Sequence, residues 1–149
     1  MVSVLAQYNK YTEETKLKND AKKLADVIEL AKKKALSSDL IATPFVTPPT
    51  YCTNFTGYQL TLNSDNYTLN YCCGSDCSTV TNTYYLKTGD YIFDTIGILR
   101  FPPLMTGANI TVNTIQLKNL TTEKCINISV STIGIVGLDE TLIDCKDVQ

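Results

Sequence analysis

The chain has 149 residues and a formal net charge of −2, enough length for one compact domain with its own core. It contains no His and no Trp, which removes the commonest general base and the commonest nitrogen ligand for metals. Charge is uneven: residues 1–40 hold eight Lys against six acids, and residues 41–149 five basic residues against nine acids, so a phosphate-tracking surface is not the general character of the larger portion.

The first predicted element is a helix over about residues 3–38. Leu17, Ala21, Leu24, Ile28, Ala31 and Ala35 recur at alternating spacings of four and three, which makes one continuous apolar stripe. Lys22, Lys23, Asp26, Glu29, Lys32 and Lys33 take the opposite side, and the Ala, Leu, Lys and Glu content agrees with the pattern. Upstream, Val4, Leu5, Tyr8 and Tyr11 form a second apolar stretch, slightly out of phase with the first. Ser37-Ser38-Asp39 weakens the helix, and Pro44, Pro48 and Pro49 forbid its continuation. At 1.5 Å per residue it would run roughly 50 Å, longer than a small domain covers. Its early half should therefore protrude and need a partner. The chain divides on this reading into a stem, residues 1–43, and a β-rich head, residues 44–149.

Beyond Pro49 the period changes to two. "GYQLTLNSDNYTLNYCC" alternates on both sides of Asn63-Ser64-Asp65-Asn66 and reads as a β-hairpin. "TNTYYLKTGDYIFD" reads as a second hairpin turning at Gly89-Asp90, and "GILRFPP" as a short strand stopped by Pro102-Pro103. "NITVNTIQLKN" and "KCINISVSTIGIVGL" are two further runs on either side of Leu120-Thr121-Thr122-Glu123. The prediction is an antiparallel meander with the helix packed on one face, an α+β fold. Five N-x-S/T sequons begin at Asn54, Asn66, Asn109, Asn119 and Asn127, where chance in so Thr- and Asn-rich a chain gives about two.

Six cysteines, Cys52, Cys72, Cys73, Cys77, Cys125 and Cys145, are an even set without paired C-x-x-C knuckles. They predict disulfides and an oxidising compartment rather than zinc. Cys72 and Cys73 point to opposite faces of a strand, so they should have different partners. Three connectivities remain open among the first four. Centring the hairpin on residues 64–65 places Cys52 opposite Cys77, which favours that bond and leaves Cys72 and Cys73 unpaired or unusually joined.

Two stretches carry a family resemblance. "KLKNDAKKLADVIELAKKKALSSD" is similar to the stem helix of the type IV pilin superfamily. "GILRFPPLMTGANITVNTIQLKNLTTEKCINISVSTIGIVGL" resembles that family's strand, Pro-x-x-x-Gly turn, alternating strand, Cys-Ile-x-Ile-Ser strand and Gly-centred hairpin. The chain looks most like the H-type minor pseudopilins of type II secretion and the FimT-like minor pilins. The resemblance implies a structural filament subunit at the cell surface. It implies partners too: other subunits through the helix, the inner-membrane assembly machinery, and the membrane through a hydrophobic N-terminal half. That half, with its leader, its cleavage site and its early Glu, is not in this sequence, whose longest apolar run is far below about 18 residues. The expectation is a processed or truncated form, with Met1 standing where the anchor was removed. Filament packing would fall to Val4, Leu5, Tyr8, Tyr11, Leu17, Ala21, Leu24 and Ile28. Cys125 begins a strand and Cys145 lies just past a hairpin. As in many pilins they should be bonded, closing a loop worth roughly 3 kcal/mol.

Other functions have less support. No G-x-S-x-G or S-x-x-K motif stands on a suitable turn, so no enzyme and no cofactor are expected. Asp139, Glu140 and Asp144 are acidic but lack a calcium-loop pattern. DNA capture, known among FimT-like pilins, would need basic contacts. Lys32, Lys33 and Lys34 are the candidates, but they lie on the stem, and the carboxyl-terminal "GLDETLIDCKDVQ" is acidic. A tip adhesin is the other rival.

Overall fold

The computed structural model describes residues 2–37, 52, 54–93, 97–103, 108–111 and 113–145. Helix α1 covers Val2–Leu36. Leu17, Ala21, Leu24, Ile28, Ala31 and Ala35, the whole predicted stripe, are buried, and Val27 joins them. The stem–head boundary at residues 43 and 44, with its three prolines, lies outside the described residues.

Nine strands follow among the described residues: β1 (Phe55–Leu62), β2 (Asn66–Cys73), β3 (Asp76–Tyr85), β4 (Asp90–Phe93), β5 (Gly97–Phe101), β6 (Asn109–Ile110), β7 (Thr114–Asn119), β8 (Lys124–Val130) and β9 (Val136–Asp144). All pairings among them are antiparallel. The α+β class therefore holds, but the meander does not. The strands form two sheets, ordered β3-β2-β1-β5-β6 and β4-β7-β8-β9. The chain changes sheet twice in places where the sequence reads as continuous. Between β3 and β4 there is a crossover instead of a hairpin, because Lys87 N–H donates to the Asp20 carboxylate on α1 at 2.7 Å and Asp90 then pairs with Asn119 of β7. "NITVNTIQLKN" splits in the same way. Thr111 N–H and its hydroxyl are engaged with Ile98 of β5, whereas Asn113 accepts a hydrogen bond from Val130 of β8.

The core is where the helix meets both sheets. α1 packs on β1 and β5 of the first and on β4, β7, β8 and β9 of the second. Each sheet presents alternate apolar residues to it: Tyr58, Leu60, Leu62, Leu99 and Phe101 from one, Ile115, Leu117, Ile126, Ile128 and Val130 from the other. The alternation places the intervening polar side chains on the outer faces, as a half-buried strand requires. Gly57 has φ +117° at a bulge in β1, and a Cβ there would run into the Phe101 carbonyl. No other residue fits both that conformation and that contact.

All six cysteines are bonded: Cys52–Cys73, Cys72–Cys77 and Cys125–Cys145. Cys125–Cys145 is the expected pair, and Cys72 and Cys73 do have different partners. The Cys52–Cys77 pairing is not formed, although the register that suggested it is present. Leu62 faces Tyr67, the register of a hairpin centred on residues 64–65. What intervenes is a turn at Gly74-Ser75 that ends β2 at Cys73 and sends β3 back along it. Cys77 then lies beside Cys72, and Cys73, opposite Phe55, is left for Cys52.

The packing separates the two apolar stretches of the helix energetically. Ile28→Ala should destabilise the protein by about 2–5 kcal/mol in urea unfolding. Val4→Ala, at a side chain 69% exposed, should stay within about 0.5 kcal/mol of wild type.

Candidate assembly face

Every residue from Val4 to Tyr11 is exposed, and contact with the head begins only at Thr12–Glu14. The overhang is thus about 12 Å, some two turns, and not the early half of the helix, because the head already covers it from Thr12 onward. On it Val4, Leu5, Tyr8 and Tyr11 are each at least 67% exposed, a run of large apolar side chains with no cover among the described residues. Its direction departs from the sequence expectation. At about 100° per residue, Val4, Tyr8 and Tyr11 lie about 150° round the helix from the buried stripe. The offset is nearly half a turn, not a slight drift of phase. Leu17, Ala21, Leu24 and Ile28 face the head, so they are core residues and are not exposed for contact with another molecule. The outward face continues beyond Tyr11 as a shallow groove of about 300 Å³ against Glu140 of β9, lined by Glu14, Lys18 and Lys22 among others. Its mixed charges suit neither an anion nor a cation.

The lysine run is not a uniform basic patch. Lys32 Nζ donates to the Gly134 carbonyl in the β8–β9 turn at 2.8 Å, and Lys34 Nζ lies 5.7 Å from the centre of the Tyr58 ring. Of the three, Lys33 alone is exposed. Two of the cations are thus spent on fastening the end of the helix to the head. Tyr84 stacks on Tyr67 with ring centres 5.2 Å apart and has the Lys23 ammonium 5.7 Å from its ring centre, while Tyr85 is exposed.

A polar node that the sequence reading did not single out joins the helix to the second sheet. Asn119 is fully buried at the end of β7. Its Oδ1 accepts from the N–H groups of Thr121 and Thr122, capping the turn, and its Nδ2 donates to both Asp90 and Glu13. Glu13, bonded also to Lys16, is held below the ordinary carboxylate range by those two donors. Asp90 goes the other way, to about 6, chiefly because burial penalises its charge and further because Asp20 and Glu13 repel it. One signal was legible: Asp20 follows Leu17 by three residues and so sits beside the apolar stripe.

The node also explains one sequon. Asn119 is spoken for by its turn, Asn66 by Asn63 and Asp65, and Asn127 by Gln116. Asn54 and Asn109 remain exposed. Among the described residues no group of His, Cys, Asp and Glu is arranged to hold a metal ion, and no helix is long and apolar enough to cross a membrane. No protein family, no curated protein and no solved structure matches the chain.

The two kinds of lysine can be told apart by charge reversal. Lys32→Glu should lower stability by about 1–2 kcal/mol through loss of a charge-assisted hydrogen bond. Lys33→Glu should leave the unfolding midpoint unchanged within about 0.5 kcal/mol.

Proposed function

We propose that the chain is a subunit of a type IV pilus-like or type II secretion-like filament, a minor pilin or pseudopilin with α1 as its stem. The observation that carries this reading is the pair of opposed apolar faces on one helix. The face from Leu17 to Ala35 is consumed by the head, and the Val4, Tyr8 and Tyr11 face points away from it. A subunit with its head on one side of a stem and a bare apolar stripe on the other has an inside and an outside. Stems meet stems on the inside, and apolar burial at about 25 cal/mol per Å² drives the association. Heads line the outside, where three disulfides suit an oxidising exterior. The cell surface is the corresponding location. The membrane and the inner-membrane assembly machinery would be met through sequence preceding the stem.

Sedimentation over a range of protein concentrations tests the assembly step. The wild-type chain should self-associate reversibly. The variant with Val4, Leu5, Tyr8 and Tyr11 all changed to Ser should remain monomeric with an unaltered unfolding midpoint. A wild-type chain that stays monomeric up to millimolar concentration counts against stem packing. Binding of duplex DNA at physiological salt, with an affinity falling steeply as salt is added, would put DNA capture in its place.

A further inference from the structure

Three carboxylates and one ammonium meet where the helix crosses the beginning of β4. Asp90, the first residue of β4, is 5% exposed, and Asp20 of α1 is 4% exposed. The Oδ1 atom of Asp90 accepts from Asn119, but its Oδ2 is buried with no hydrogen-bond partner. The groups that face it can be named element by element: Glu13, Lys16 and Asp20 from α1, and Asn119 from β7. Neither cation nor donor among them serves Oδ2. Lys16 is bound to Glu13, and the Lys87 N–H of the crossover is taken by Asp20. A buried acceptor without a partner carries the full cost of its lost hydration. When it belongs to an ionised carboxylate next to a second carboxylate, charge repulsion adds to that cost.

One proton removes both penalties. It neutralises Asp90 and converts an orphaned acceptor into a donor beside the Asp20 carboxylate. We propose that Asp90 is a proton-operated latch between the stem helix and strand β4, closed when Asp90 is protonated and shares its hydrogen with Asp20, and loosened when it ionises. The latch sits where the β3–β4 crossover is pinned to the helix and one step from the Asn119 turn. Its opening therefore slackens the join between the protruding stem and the second sheet while leaving the apolar stripe below it packed. The inference rests on the fold and not on the assembly reading.

The sign follows from linkage. The folded-state value of Asp90, about 6, lies above its ordinary 3.8, so the folded protein holds this proton more tightly than the unfolded chain does. The stabilisation is complete below pH 3.8 and is lost progressively as pH rises to about 6. A gap of some two units corresponds to about 100-fold in the folding equilibrium constant.

Other carboxylates in the chain titrate as well, so the comparison is made against Asp90→Asn, which keeps the hydrogen-bonding donor without the charge. The stability advantage of this variant over wild type should be negligible at pH 3 and grow towards 100-fold by pH 7.5. Parallel pH profiles for the two proteins would overturn the proposal. A direct readout is the carboxyl ¹³C titration of Asp90 by NMR in the wild-type chain, which also decides the matter if Asp90→Asn fails to fold. A midpoint near 6 that falls in Asp20→Asn supports the latch. A midpoint in the ordinary Asp range, or one indifferent to Asp20→Asn, rules it out.

Discussion

Seven side chains on one face of α1, from Leu17 to Ala35, form the surface that both sheets share. Each sheet is a curtain of antiparallel strands with one apolar side, and a sheet of this kind needs a second layer to bury that side. The helix is the layer common to the two. Because it is a single rigid rod, it also sets the sheets' relation to one another. Strands β1 and β5 lie against it from one sheet and β7, β8 and β9 from the other. The alternation of Leu60 and Leu62 with Gln59 and Thr61, or of Ile115 and Leu117 with Gln116, makes sense only with that rod in place.

The polar attachments refine what the stripe makes stable. Lys32 on the Gly134 carbonyl holds the far end of the helix to the β8–β9 turn, and Asp20, Glu13 and Asn119 hold the near end to the crossover and to the β7–β8 turn. Apolar contact alone is tolerant of small slides along a helix, whereas buried hydrogen bonds are directional and costly to leave unmade. Their cost appears at Asp90, whose surroundings oppose its charge. The disulfides add covalent ties within the head. Cys125–Cys145 ties the end of β9 to β8, and the other two bridges brace the β2–β3 turn and the strand that enters β1.

Opposed faces on one helix give the molecule its polarity. A stem whose apolar side faced only its own head would be finished as a monomer. Here the overhang carries Val4, Tyr8 and Tyr11 on the far side from the core, and among the described residues nothing covers them. Such a stripe is open to a partner, which is the physical basis for proposing an assembling subunit.

Local periodicity was enough to locate the helix, its buried face, the β1–β2 hairpin with its register, and the apolar side of most strands. In each case the signal is carried by residues two, three or four positions apart, and burial of one face then follows from the geometry of the element itself. Partner choice between distant segments was another matter. "TNTYYLKTGDYIFD" has the pattern of a hairpin, yet it crosses between sheets because Asp20, 67 residues away from Lys87, captures the crossover amide. The β1–β2 register at Leu62 and Tyr67, had β2 run on, would have carried Cys77 opposite Cys52, but a turn two residues long reverses the strand first. The burial of Asp90 and Asn119, and the identity of Lys32 as a fastening rather than a free cation, depend equally on contacts that no local pattern encodes. The sequence by itself determined the elements and the sides they bury, since these are properties of neighbouring residues. Tertiary structure decided which strands share a sheet, which cysteines meet and which charges are hidden, since these depend on segments far apart in the chain.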